Sequence, residues 1–213
     1  MIAHIKSFLL CALIFLTLFG YKALAQDDSF RIVQLAYGIS LDVPSHWTVL
    51  PLETRKNLGA AGQALLDNEG IGGPSGRKEN LLAINATPDP VGATIRVSVT
   101  SPGDFTQSDL LAASPEDLKV VEAELLKMFR QIETSGGFKV IEMQPVQIGQ
   151  INNYQMLVIP YVRTGINSPS PWQVTQYKIP VSNRLIEITL SHRQSDAIVW
   201  RPILERVRRS LKF

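Results

Sequence analysis

Cysteine is all but missing from this chain: Cys11 is the single one in 213 residues, and it lies inside an apolar leader. The chain beyond the leader therefore has no thiol, which excludes a disulfide framework, a thiolate metal site and a cysteine nucleophile. Stability must come from packing. An excess of one charge is lacking too. The chain holds 21 Lys and Arg against 19 Asp and Glu, and the leader takes Lys6 and Lys22 with no acid, leaving 19 of each from Gln26 onward. A neutral domain offers no global attraction for nucleic acid or an anionic membrane. Apolar residues run long only over 8–19, short of the roughly 20 needed to span a bilayer, so no transmembrane helix is expected after the leader. Histidine is sparse as well, with only His46 and His192 beyond residue 25.

The first 25 residues order themselves as a secretory signal. Lys6 supplies the basic end, residues 8–19 the apolar stretch, and Ala23-Leu24-Ala25 the small-residue cleavage site before Gln26-Asp27-Asp28. Cleavage is expected after Ala25, giving an exported chain, periplasmic or secreted, of residues 26–213. An uncleaved anchor would not need the A-x-A pattern followed at once by acids. A lipid anchor on Cys11 would need a small residue before it, where Leu10 stands. The remaining length suits one domain with a sizeable core.

Residues 30–35 and 39–43 alternate as two strands joined by a tight turn at Tyr37-Gly38, and 46–50 resume as a short strand with Trp47 buried. Residues 58–66 favour helix. Residues 67–80 collect Gly70, Gly72, Gly73, Pro74 and Gly76 among polar groups and read as a flexible loop. Strands are expected at 81–85 and 94–100, the second alternating Ile95, Val97 and Val99 with Arg96 and Ser98. Ser114-Pro115-Glu116-Asp117 is a helix start with a cap, a first-turn proline and acids at the positive end of the dipole. That helix should run to about residue 133, with Leu118, Val121, Leu125, Met128, Phe129 and Ile132 on its apolar stripe. Strands are expected next at 138–143, 151–163 and 172–190, the last folded back at Ser182-Asn183. A final helix spans 196–211, with Val199, Ile203, Val207 and Leu211 as its buried face and Pro202 as a kink or the true start. The fold class is α+β, a mostly antiparallel sheet flanked by helices.

Two stretches carry a family resemblance. Residues 37–47, a strand ending at Pro44 and followed closely by Trp47, resemble the opening hairpin of PsbP-like and Mog1-like domains. Leu185-Ile186-Glu187-Ile188-Thr189-Leu190-Ser191, and then a helix through Trp200, Ile203, Leu204, Val207 and Leu211, is similar to the last strand and helix of the same group. The resemblance implies an α/β/α sandwich, and a binding or assembly role rather than catalysis. Because the matching positions are those that pack, it carries no functional residue over.

Motifs for chemistry are few. His46 and His192 stand beside predicted strand ends, where both are expected to be partly exposed. They would come near Asp42 and Glu187 only if the first and last strands were neighbours. No nucleophile elbow, S-x-x-K pattern, dinucleotide fingerprint or P-loop is present. The acids Asp104, Asp109, Glu116 and Asp117 lack the alternate-oxygen spacing of a calcium loop. No catalytic, cofactor or metal residue is therefore assigned. Tyr154, Tyr161, Trp172 and Tyr177 read as core or as pocket lining. The final helix carries Arg201, Arg206, Arg208, Arg209 and Lys212, which suit the helix dipole and form a candidate docking face for an acidic protein or a lipid headgroup, the expected partner being another envelope or secreted protein. Three readings of function remain: a non-catalytic binding or assembly module, a small-molecule or lipid carrier with a cleft beside the 67–80 loop, and, third, a hydrolase centred on a histidine.

Overall fold

The computed structural model describes residues 29–68, 76–88, 90–134, 137–165 and 168–213, with side chains throughout except at 61–68. Residues 1–28, with the expected leader, and the glycine-rich stretch 69–75 lie outside the described residues. Strands β1 (Phe30–Gln34) and β2 (Ser40–Pro44) pair antiparallel as a separate two-stranded sheet. Their turn places Tyr37 at φ 65° and Gly38 at φ 77°. Two successive left-handed positions favour a residue without Cβ at one of them.

The main sheet is built from β3 (Thr48–Val49), β4 (Arg77–Asn85), β5 (Ala93–Ser101), β6 (Val140–Met143), β7 (Gln147–Ile151), β8 (Tyr154–Gly165), β9 (Ser168–Val181) and β10 (Arg184–Arg193). Its spatial order is β3-β4-β5-β10-β9-β8-β6, with β7 also pairing β8, and every pairing is antiparallel. The helices are α1 (Leu52–Asn68), α2 (Gln107–Ala112), α3 (Pro115–Thr134) and α4 (Ala197–Arg209).

Two apolar cores hold these layers. On one face Ile95, Val97, Val99, Ile179, Ile186, Ile188 and Leu190 pack with Trp47, Ile39, Leu41 and Val43 under Leu204, Val207 and Leu211 of the C-terminal segment. On the other, Leu157, Ile159, Tyr161 and Val174 pack with Leu110, Phe129 and Ile132. Helix α3 starts as its sequence requires: Ser114 N–H and Oγ both donate to Asp117 Oδ2, at 2.8 and 2.7 Å, and Asp117 N–H returns a bond to Ser114 Oγ. Those bonds hold the Asp117 carboxyl below its usual range.

Several expected boundaries move. The first helix begins at Leu52, six residues before its apolar pattern does, because Pro51 O accepts the first helical bond from Arg55 N–H at 3.0 Å. The expected loop shortens, since residues 77–80 extend β4. The strand expected at 151–163 begins only at Tyr154, as β8, because the chain turns at Asn152 with φ 50°, a conformation asparagine tolerates, and pairs β8 with β7, an unexpected strand over 147–151. Helix α4 runs through Pro202 rather than starting there. Its buried side also differs: Val199 is 42 % exposed, while Trp200 and Ile203 pack partly and Leu204 fully on the core. A strict four-residue spacing drifts about 40° per step around a 3.6-residue helix, so steps of three and four must alternate to stay on one side.

Gly92 marks a close approach behind that helix. A Cβ there would lie 2.6 Å from Trp200 Nε1 and 2.8 Å from its Cε2. Gly92→Ala is expected to cost about 1–3 kcal/mol by overpacking. Chemical denaturation would show it as a lowered midpoint at unchanged slope.

Candidate functional site

Strand register builds the site. Along β5, Ile95, Val97 and Val99 face the α4 core, so Thr94, Arg96 and Ser98 face the opposite way. Along β10, Ile186, Ile188 and Leu190 join that same core, and Glu187, Thr189 and Ser191 point away from it. Pairing sets these polar positions side by side: Glu187 opposite Ser98, Thr189 opposite Arg96, Ser191 opposite Thr94. The rows extend into β9, where Lys178 pairs Glu187, Gln176 pairs Thr189 and Trp172 pairs Arg193, and into β8, where Arg163 pairs Trp172.

The result is a polar floor in the middle of the main sheet, between α1 and the β8–β9 end. It bounds a cleft of about 770 Å³. Arg55, Leu58 and Gly59 of α1 form one wall, and Arg163, Gly165, Ser168, Ser170 and Trp172 form the other. Thr94 and Ser191 hydroxyls hydrogen-bond across the floor at 2.7 Å. Glu187, with a side chain 8 % exposed, is held by Lys78 at 2.8 Å and Lys178 at 3.9 Å.

The arginines of the cleft are fixed by carbonyls. Arg96 donates through Nη1 to Ile84 O at 2.6 Å and Ile95 O at 2.9 Å, and through Nη2 to Asn85 Oδ1 at 2.7 Å. Arg163 donates to Thr164 O at 2.8 Å and lies over the rings of Phe138 and Trp172, 5.1 and 5.9 Å from their centroids. Arg193 gives Nε and Nη2 to Val91 O, and Arg55 reaches Asn80 O and Leu81 O. Burial, aided by the nearby Arg163, lowers Arg96 to about 10, and burial lowers Arg163 as well. Both stay charged at neutral pH.

The residues singled out from the sequence fall elsewhere. Arg208 and Arg209 both bind Glu205, at 2.6 and 2.9 Å, and Arg206 lies 3.8 Å over Phe30. Arg201 and Lys212 are exposed, and the Lys212 backbone pairs with Ser40. The two histidines differ. His46 is exposed, as expected, but His192 is 5 % exposed, because it alternates in phase with Ile188 and Leu190 and must face the core. Asp42 and Glu187 are on different sheets, since β2 pairs with β1 and β10 with β5 and β9. Among the described residues no group of three His, Cys, Asp or Glu side chains is placed to hold a metal ion. Of the aromatic residues, Trp172 lines the cleft, while Tyr161 packs against Phe129 and Tyr154 against Phe213.

The sheet order and the helices on both its faces can be set against known proteins. No family model matches the chain, and no curated protein matches it. The solution structure of cyanobacterial PsbP (CyanoP) from Synechocystis sp. PCC 6803 superposes with a TM-score of 0.56 at 11 % identity, over 91 % of this chain and 98 % of that one. The protein has a PsbP-like fold. LpqN of Mycobacterium tuberculosis, involved in cell envelope biogenesis, matches at TM-score 0.43 and 12 % identity over 86 % of this chain and 90 % of its own. The Ran-binding protein Mog1p of Saccharomyces cerevisiae matches at TM-score 0.42 and 11 % identity over 86 % and 95 %.

The strand alternation could have signalled that floor. Arg96 with Ser98, and Glu187 with Thr189 and Ser191, are visible as polar phases of two strands; that the strands are neighbours is not.

Proposed function

We propose that this protein is an exported, non-catalytic binding module whose ligand occupies the cleft over β5 and β10. One observation carries the reading. Over β8 and β9 this side of the sheet is apolar and packs with Leu110, Phe129 and Ile132 of α2 and α3, whereas over β5 and β10 it is polar and borders a cleft of about 770 Å³. That volume is within the range of small-molecule sites, roughly 300–1,000 Å³.

Binding fits the chemistry better than catalysis. The cleft contains hydroxyls at Thr94, Ser98, Thr189 and Ser191, but no imidazole lines it and its described carboxylate, Glu187, is engaged by two lysines. General-base activation of a hydroxyl needs a base within hydrogen-bond reach. Export rests on the leader, and no helix among the described residues is long and apolar enough to cross a membrane. The PsbP/Mog1-like resemblance agrees with a binding role.

Thr189 lies at the centre of the floor, so Thr189→Trp fills the cleft. Protein purified gently from its own host should carry a ligand adduct in native mass spectrometry, and the variant, still folded by circular dichroism, should lose it. An adduct retained by the variant, or none on the wild type, refutes the reading.

A further inference from the structure

Four arginines line the cleft, Arg55, Arg96, Arg163 and Arg193. Among the described residues none of them has a carboxylate within ion-pair distance. Their partners are backbone carbonyls and the side-chain amide oxygen of Asn85. The three bonds from Arg96 use three of its five N–H donors, and Arg163 is held by a single backbone carbonyl. Arg55 Nε is buried with no acceptor among the described residues. Glu187 does not offset this charge, because Lys78 and Lys178 already occupy it.

A guanidinium moved out of water loses hydration, and an opposite charge is what offsets the loss. Arg96 and Arg163, both half-buried, line the same cleft from β5 and β8. The fold thus holds desolvated cations in place with neutral acceptors, an arrangement that weakens the free protein. An anion in the cleft would offset that desolvation. The guanidinium fork matches the paired oxygens of carboxylate and phosphate, and Trp172, Leu58 and Val91 supply apolar wall for the rest of a ligand.

We propose that the cleft takes a small molecule bearing carboxylate or phosphate groups, its oxyanion bound by the arginines that line the cleft, Arg96 and Arg163 among them. This deepens the proposed binding function and rests on it. Arg163 lies over Trp172 in the aromatic wall, and Arg96, in register with Thr189, reaches toward β4 at Ile84 and Asn85.

The test is calorimetric titration of the full exported chain with citrate and, separately, inorganic phosphate, alongside sedimentation with phosphatidylglycerol and with phosphatidylcholine vesicles. Saturable binding of an anionic probe is expected, weaker as ionic strength rises. Arg163→Gln and Arg96→Gln should each weaken it at least about tenfold, equivalent to about 1.4 kcal/mol. Arg163→Lys, which keeps the charge and loses the fork, should fall between, and Arg209→Gln on α4 should match wild type. Binding of the free anions identifies a soluble ligand. Binding confined to phosphatidylglycerol vesicles, and lost in Arg163→Gln, identifies a lipid headgroup in the same cleft. If Arg96→Gln does not fold, Arg163→Gln alone decides, since that side chain holds only one backbone carbonyl. Absence of saturable binding by every probe, or binding that the glutamine variants leave intact, overturns the proposal. A ligand adduct lost in Thr189→Trp together with no anion binding would keep the cleft as the ligand site and remove only its anionic character.

Discussion

Trp47→Ala is expected to lower the unfolding free energy by about 3–5 kcal/mol, the range for truncating a buried large aromatic. Trp47 is 2 % exposed and meets Trp200 edge-on, with ring centroids 5.7 Å apart and planes inclined at 75°. It therefore joins the segment after β2 to helix α4, and the surrounding sheet and helix cannot collapse into the space its removal leaves. For a chain of this length the loss corresponds to roughly 6–20 °C in melting temperature. Urea denaturation followed by far-ultraviolet circular dichroism checks it. A loss below about 1 kcal/mol would mean that the α4 side of the sheet repacks freely. Trp47→Phe, which keeps most of the ring, should cost distinctly less.

The second large effect belongs to the ion triad on the cleft floor. Lys78→Met combined with Lys178→Met should cost about 3–5 kcal/mol, because it leaves the Glu187 carboxylate buried without compensation. The side chain of Glu187 is 8 % exposed against 39 % for Lys78 and 25 % for Lys178. This asymmetry makes the lysine deletions the damaging direction. Removing Glu187 instead leaves two cations that can turn toward water. Adding Glu187→Gln to the lysine double variant should recover most of the lost stability, since a neutral amide at that position has far less hydration to lose. If the triple variant is as unstable as the double, the loss comes from the lysine stems packing on the sheet rather than from charge.

Most of the architecture is legible along the chain. The β1–β2 hairpin, the capped start of α3 at Ser114 and the turn at Ser182-Asn183 all arise from local residues, because caps and turns are decided within a few positions. Where local signals are weak the boundaries move. Leu52 to Arg55 show no apolar period, and their helix is fixed by Arg55 reaching the β4 carbonyls of Asn80 and Leu81. Asn152 places a turn inside what reads as one apolar strand. His192 is buried against expectation because its phase with Ile188 and Leu190 outweighs its position near a strand end.

The candidate site is much less legible. The basic positions of α4 are conspicuous because they sit close together in the chain, yet Glu205 already engages two of them. The arginines of the cleft come from α1, β5, β8 and β10, spread between residues 55 and 193.

The sequence by itself determined the thiol-free, charge-balanced composition, the export leader as an expectation, and an antiparallel α+β fold, since each derives from composition or from periods of two and 3.6 residues. Only the tertiary structure decided that one face of β5 and β10 stays polar and uncovered while the same face of β8 lies under α3. Strand order and register are long-range choices, and they alone bring Arg55, Arg96, Arg163 and Arg193 to one cleft.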